Sequence, residues 1–230
     1  MVFPLQIFRK ISNYQYEEIN LDTMVESHKN DVLVGVLALQ GDFKEHVNML
    51  VHSGAYATEV RTYTELESVD GLVIPGGEST TMARLLIAYD LMDLLRLKIS
   101  AGFPIWGTCA GAILLADSAP DLDRPTIGGI PMTIKRNAFG TQVDSFETDL
   151  RFLDLEGGDY HAVFIRAPLI TDIAPEVKVS AHLKNGEIVA VVKENLMATC
   201  FHPELTNDTR LHRKFVDLVT NYKINRSNEV

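Results

Sequence analysis

The sequence predicts an α/β protein built on a doubly wound, mostly parallel sheet. Three observations carry that expectation. Residues 32–39 form a continuous apolar run rich in β-branched side chains, as expected of a strand buried on both faces. Strand-length apolar runs then alternate with amphipathic stretches of helical length as far as residue 116. Lastly, Gly107-Thr108-Cys109-Ala110-Gly111 joins one apolar run, 103–106, to another, 112–116. That is the order strand, sharp turn, helix, with a thiol where the nucleophile elbow of α/β hydrolases carries its serine.

The elements follow in order. Residues 1–31 are polar, without a sustained period, and read as an unstructured extension; Arg9 and Lys10 weakly suggest a transit peptide, but Glu17, Glu18, Asp22 and Glu26 oppose one. After the strand at 32–39, Gln40-Gly41-Asp42 turns into a helix at 43–53 with Phe43, Val47 and Leu50 on one face. Residues 59–63 read as the second strand and 71–74 as the third, which runs into Pro75-Gly76-Gly77-Glu78-Ser79. The amphipathic stretch 79–100 reads as two helices broken near Asp90, with Ser79 as the N-cap of the first. Beyond residue 120 the runs 126–135, 143–149, 161–166, 177–182, 188–193 and 197–201 suggest further, partly antiparallel strands. A last helix at about 208–222 carries Leu211, Phe215, Val216 and Val219 on its apolar face, with His212 expected at the surface. One globular domain, 32–222, with a tail at 223–230, accounts for the pattern.

Composition narrows the function classes. The chain has 230 residues, 46% of them hydrophobic, enough for a sizeable core. A formal net charge of −10 without a basic stripe disfavours nucleic acid and anionic membrane surfaces as partners. No apolar run approaches the ~20 residues of a transmembrane helix. Two cysteines, Cys109 and Cys200, are too few for a disulfide framework and point to a reducing, cytoplasmic compartment.

Three polar clusters fall at the carboxyl ends of strands, where open parallel sheets form their sites. In the first, the elbow places Cys109 at a helix start, where free N–H groups, that of Ala110 among them, favour a thiolate and suit an oxyanion. In the second, Gly76 and Gly77 allow backbone N–H groups to face a ligand. In the third, Phe201-His202-Pro203-Glu204, a base for the thiol is followed two residues later by a carboxylate able to fix its tautomer. His28, His52, His161 and His182 have no such setting, and no pair of His or Cys has the spacing of metal ligands.

Together, Pro75-Gly-Gly-Glu-Ser-Thr80, Trp106-Gly-Thr-Cys-Ala-Gly111 and Phe201-His-Pro-Glu-Leu205 resemble the class I, or triad, glutamine amidotransferases. Gly35-Val-Leu-Ala-Leu-Gln-Gly41, Arg136-Asn-Ala-Phe-Gly140, Gln142-Val-Asp-Ser-Phe-Glu147 and Phe164-Ile-Arg-Ala-Pro168 narrow the resemblance to the glutaminase subunits of two-component pyridoxal 5′-phosphate synthases. It spans about 32–222 and leaves the start of the chain without a counterpart.

The resemblance implies a flavodoxin-like core, with Cys109 as nucleophile, His202 as base and Glu204 as third triad member. It implies oxyanion donors at Gly77 and Ala110, and a glutamine site formed by Gly77, Glu78, Ser79, Arg136, Ile165 and Arg166. An Arg fork suits the α-carboxylate, and Glu78 suits the α-ammonium or shapes the turn. The implied partners are L-glutamine and a (β/α)₈ synthase subunit that consumes the ammonia, with no cofactor or metal on this chain. Gln40, at the end of the first strand, is a candidate for gating by that partner. The alternatives are an amidotransferase subunit of another pathway, such as histidine or purine synthesis, a non-catalytic relative, or a cysteine peptidase of the same fold. The peptidases usually place a His directly after the elbow Cys, where this chain has Ala110.

Overall fold

The computed structural model describes residues 7–12, 15–19, 32–136 and 145–228. The elements run β1 (Ile7–Ser12), β2 (Gln15–Ile19), β3 (Leu33–Leu37), α1 (Phe43–His52), β4 (Tyr56–Val60), α2 (Tyr63–Glu67), β5 (Gly71–Ile74), α3 (Ser79–Ala88) and α4 (Leu91–Ser100). Next come β6 (Ile105–Thr108), α5 (Ala110–Leu115), β7 (Ala116–Ser118), β8 (Ile130–Lys135), β9 (Ser145–Leu150), β10 (Tyr160–Ile165) and β11 (Leu169–Ile173). The chain closes with β12 (Lys178–His182), β13 (Ile188–Lys193), β14 (Leu196–Thr199), a 3₁₀ turn at Pro203–Leu205 and α6 (Arg210–Asn228).

The main sheet has the strand order β2-β1-β4-β3-β5-β6-β14-β13-β11-β8-β7, with β12 paired to β13. Its centre, from β4 to β14, is parallel. From β3 the chain passes first to β4 on one side and then to β5 on the other. The crevice at the carboxyl ends of β3 and β5 is therefore a topological switch point, where such sheets bind ligands. The flanks are mostly antiparallel, and β9 and β10 form a separate two-stranded sheet. This mixed α/β architecture is the one expected.

The central strands lie almost wholly out of water because helices cover them. Helices α1 and α6 pack against each other, and α3 packs against α4 and α5. Leu37, Leu72, Ile74, Ile105 and Trp106 are fully buried, each contributing roughly 1.5–3 kcal/mol relative to exposure. Asp90 breaks the stretch 79–100 as expected, by adopting a left-handed conformation at φ +57° before α4. Among the described residues no helix is long and apolar enough to cross a membrane.

Several expectations need correction. The second strand is Tyr56–Val60, and Tyr63 instead opens α2, where Thr62 and Glu65 form a capping box. The N-cap of α3 is Glu78, whose carboxylate accepts from the N–H groups of Thr80 and Thr81; Ser79 is the first helical residue. The last helix runs on through the expected tail to Asn228, and Lys223 reaches Asp70 at 2.8 Å. His212 is fully buried, because it shares a helical face with Phe215 and Val219.

The extension is not irregular over the residues described. Strands β1 and β2 form a hairpin, and β1 pairs with the open edge of β4 through Ile7↔Thr58 and Phe8↔Ala57. An exposed strand edge presents unpaired N–H and C=O groups that recruit such a strand. Among the described residues these two pairs, with Phe8 packed against the core, make the attachment. A chain starting at Asp31 is expected to melt cooperatively, with a midpoint lowered by no more than about 5 °C. Thermal denaturation checks this, and loss of the cooperative transition would show that the extension is part of the folding unit.

Candidate active site

Register places the three polar clusters side by side. Ile74 pairs with Gly107 across β5 and β6, and Thr199 pairs with Thr108 across β14 and β6. The segments after Ile74, Thr108 and Thr199 therefore emerge from neighbouring parallel strands at one edge. Those segments carry Gly76 and Gly77, Cys109, and His202.

The elbow has the geometry its glycines imply. Cys109 sits at φ +47°, ψ −102°, a region costing about 1–3 kcal/mol for a residue with a Cβ. A Cβ on Gly107 would lie 2.4 Å from the Gly111 carbonyl oxygen, and one on Gly111 only 2.0 Å from that of Ile74. The turn thus packs backbone on backbone. The N–H of Cys109 donates to the Thr199 carbonyl at 2.8 Å, and its Sγ lies 4.0 Å from the Ile165 carbonyl oxygen.

His202 is buried, and its protonation is coupled to the neighbouring Cys109 thiol. Its Nδ1 is 2.7 Å from Glu204 Oε1. Burial alone would disfavour the charged ring, but the hydrogen bonds and charges of Cys109 and Glu204 push its pKa up to about 10. Burial likewise opposes the Glu204 anion, yet the facing rings of His46 and His202 hold its carboxyl well below the usual range. His202 thus joins the Glu204 carboxylate, with Cys109 coupled to its protonation. The atoms of Asp42, His202 and Glu204 gather within 4.8 Å, close enough for a metal ion, but the 2.7 Å hydrogen bond already engages His202 Nδ1.

The glycine loop after β5 is shaped by its neighbours. A Cβ on Gly76 would lie 2.4 Å from His202 Cε1, so the bare backbone lies against the imidazole. Gly77 adopts φ +152°, and a Cβ there would meet Gln40 Oε1 at 2.5 Å. That same oxygen accepts from the Glu78 N–H at 2.6 Å, so Gln40 touches the loop as the sequence suggested.

Arg136 is close by, its guanidinium 3.1 Å from Glu78 Oε1 and 3.2 Å from both Thr80 Oγ1 and the Asp121 carbonyl oxygen. Glu78 therefore shapes the turn and pairs with Arg136 together. Ile165 is half-buried, and exposed Arg166 follows it at φ +43°. Residues 137–140 and 142–144, which carry two of the motif stretches, lie outside the described residues.

One neighbour of the site escaped the sequence reading. His46, on α1, is fully buried with its Nε2 3.2 Å from Glu204 Oε2. Its only signal was a polar residue beside Val47 and Leu50 on an apolar face. His161 is exposed between Asp149 and Glu147, 2.9 Å from each, on the β9–β10 sheet.

A strained cysteine elbow, a His–carboxylate pair and a glycine loop thus meet at one sheet edge. Residues 36–221 match the SNO glutamine amidotransferase family, and the chain belongs to it. It is 54% identical over 189 residues to the pyridoxal 5′-phosphate synthase subunit PdxT of Mycobacteroides abscessus, covering 81% of this chain and 97% of that protein. It is 49% identical over 187 residues to the PdxT of Roseiflexus castenholzii, covering 80% and 99%. A crystal structure of a glutamine amidotransferase superposes with a TM-score of 0.77 at 45% identity, covering 81% of this chain and 98% of that one.

Two outcomes follow. A glutamine-like electrophile such as diazo-oxo-norleucine is expected to label Cys109 and spare Cys200, which is fully buried and whose thiol burial pushes up; peptide mass spectrometry checks it. The raised His202 pKa also links stability to pH. Its contribution is full below the ordinary value of 6.5 and is lost as pH rises through about 10. Thermal melts across that range should fall more steeply for the wild type than for His202→Asn.

Proposed function

We propose that this chain is the glutaminase subunit of a pyridoxal 5′-phosphate synthase. It hydrolyses L-glutamine to L-glutamate and ammonia and passes the ammonia to a (β/α)₈ synthase subunit. The observation that carries the chemistry is the strained Cys109 elbow beside a buried His202 that is bound to Glu204 at 2.7 Å. Membership of the family and the PdxT name of the relatives support this pathway over histidine or purine synthesis.

The mechanism follows from the protonation. With a pKa near 10, His202 carries the proton at neutral pH. The Cys109 sulfur attacks the side-chain amide carbon of glutamine and forms a tetrahedral oxyanion, with the N–H groups of Gly77 and Ala110 as its donors. The C–N bond breaks as His202 gives its proton to the leaving ammonia. His202 then takes a proton from water, whose oxygen attacks the γ-glutamyl thioester. The thioester C–S bond breaks, releasing glutamate and returning Cys109 and the protonated His202 to their starting state. Arg136, Glu78, Ser79, Ile165 and Arg166 form the glutamine site, Arg136 holding the α-carboxylate. Substrate binding requires Arg136 to give up part of its contact with Glu78.

Gln40 makes the glycine loop the natural point of control. Its side-chain oxygen holds the loop at the Glu78 N–H. Docking of the synthase subunit on this edge would turn the loop so that an N–H faces the oxyanion. A missing oxyanion donor costs roughly 10²–10³-fold in rate.

Steady-state assays with and without the synthase subunit test this reading. Cys109→Ala is expected to abolish turnover, and His202→Asn to lower it on the order of 10³-fold. Activation by the partner is expected to be large in the wild type and altered in Gln40→Ala. Wild-type turnover by Cys109→Ala would reject the mechanism, and equal rates with and without partner would reject gating.

A further inference from the structure

Behind the triad lies a pair of histidines that the reaction above does not use. His46 of α1 and His212 of α6 are both fully buried. His46 Nδ1 is 3.0 Å from His212 Nε2. Its Nε2 lies 3.1 Å from Thr108 Oγ1 and 3.2 Å from Glu204 Oε2. The Trp106 ring stands edge-on to both imidazoles, at centroid distances of 5.8 and 4.9 Å. Imidazoles removed from water this completely need partners; this pair bonds Thr108 Oγ1 and stands against the Glu204 carboxylate.

The protons along this line can be assigned from the network. Ionised Glu204 only accepts. Its Oε1 takes the N–H of His202 Nδ1, and Oε2 faces His46 Nε2. His46 therefore carries a hydrogen on Nε2. Burial holds His212 neutral, well below its ordinary pKa. A neutral His212 donates from Nε2 to His46 Nδ1 and keeps a bare lone pair on its own Nδ1. That nitrogen has no hydrogen-bond partner among the described residues; the other such buried atom is Glu204 Oε2, which His46 Nε2 approaches at 3.2 Å while bonding Thr108 Oγ1 at 3.1 Å. The reverse assignment would leave a buried N–H unpaired at His212 Nδ1.

We propose that His46 is a positioning residue for glutamine hydrolysis: its Nε2, anchored on Thr108 Oγ1 and 3.2 Å from Glu204 Oε2, gives that oxygen its polar neighbour, so that Oε1 stays aligned on His202 Nδ1 and His202 stays aligned on Cys109. The proposal rests on the triad reading above. Besides His46, the titratable groups whose charge or hydrogen bonding couples to Glu204 are His202, Asp42, His212 and Tyr160. Of these, His202 alone is hydrogen-bonded to the carboxylate, and it holds Oε1; His46 is the ring that faces Oε2.

The test is glutaminase kinetics of the chain with its synthase subunit, between about pH 5 and 10, with Cys109→Ala and Glu204→Gln as controls. His46→Leu removes the donor at similar bulk. It is expected to lower kcat about tenfold or more with KM for glutamine unchanged, and to move the acid limb of kcat/KM to higher pH. His46→Gln, whose amide nitrogen reaches the place of Nε2, should restore most of the rate, whereas His46→Asn, which reaches only the place of Nδ1, should not. Wild-type kcat and pH profile in His46→Leu would overturn the proposal, as would equal rates for the Gln and Asn variants. If His46→Leu does not fold, the contrast between Gln and Asn decides alone. Full activity in Cys109→Ala would bring down the triad reading and the role of His46 with it. Inactive controls beside an unaffected His46→Leu would remove His46 and leave the triad standing.

Discussion

The site depends on backbone packed against backbone where the central strands end. Gly111 lies so close to the Ile74 carbonyl, and Gly107 to that of Gly111, that neither position has room for a Cβ. No rotamer change relieves a clash of main-chain atoms. This contact lets the chain leave β6, reverse, and start α5 within one residue, and it forces Cys109 into its strained conformation. The strain is about 1–3 kcal/mol. The burial of Trp106, Ile113, Leu114 and Leu115 around the elbow outweighs it several-fold. The thiol is thus held at the sheet edge by the core, with little freedom to relax away.

The second constraint is electrostatic. Glu204 is a buried carboxylate, which is costly unless paired. Here one oxygen meets His202 and the other faces His46. The anion in turn keeps His202 protonated against the effect of its own burial. Helix α1 supplies His46, helix α6 supplies His212 and strand β6 supplies Thr108 and Trp106, so the surroundings of Glu204 are set by elements far apart in the chain.

Around this rigid centre the polar loops are joined more lightly. Gln40, Gly77, Glu78 and Arg136 form a chain of hydrogen bonds and close contacts over partly exposed ground. Each link is individually worth about 1 kcal/mol net. Side-chain links of this kind are weaker than the backbone-on-backbone packing of the elbow beneath them.

Much of this was determined by the sequence alone. The period and composition of the runs specify a parallel core, and the spacing of Gly107, Cys109 and Gly111 specifies a strained elbow, because both are local consequences of backbone sterics. His202-Pro203-Glu204 is equally local, since two residues suffice to bring a carboxylate to an imidazole. The strand at Tyr56–Val60, the cap at Glu78 and the hairpin at the N-terminus depended on tertiary structure. A strand edge or a helix start accepts whichever nearby group best satisfies its open N–H and C=O groups, and propensity does not name that group. His46 and His212 are the sharpest case. Each stands alone on an amphipathic helix, 166 positions apart, and nothing in either segment distinguishes it from a surface residue. Only the packing of α1 against α6 over β6 removes both rings from water and aims one of them at Glu204.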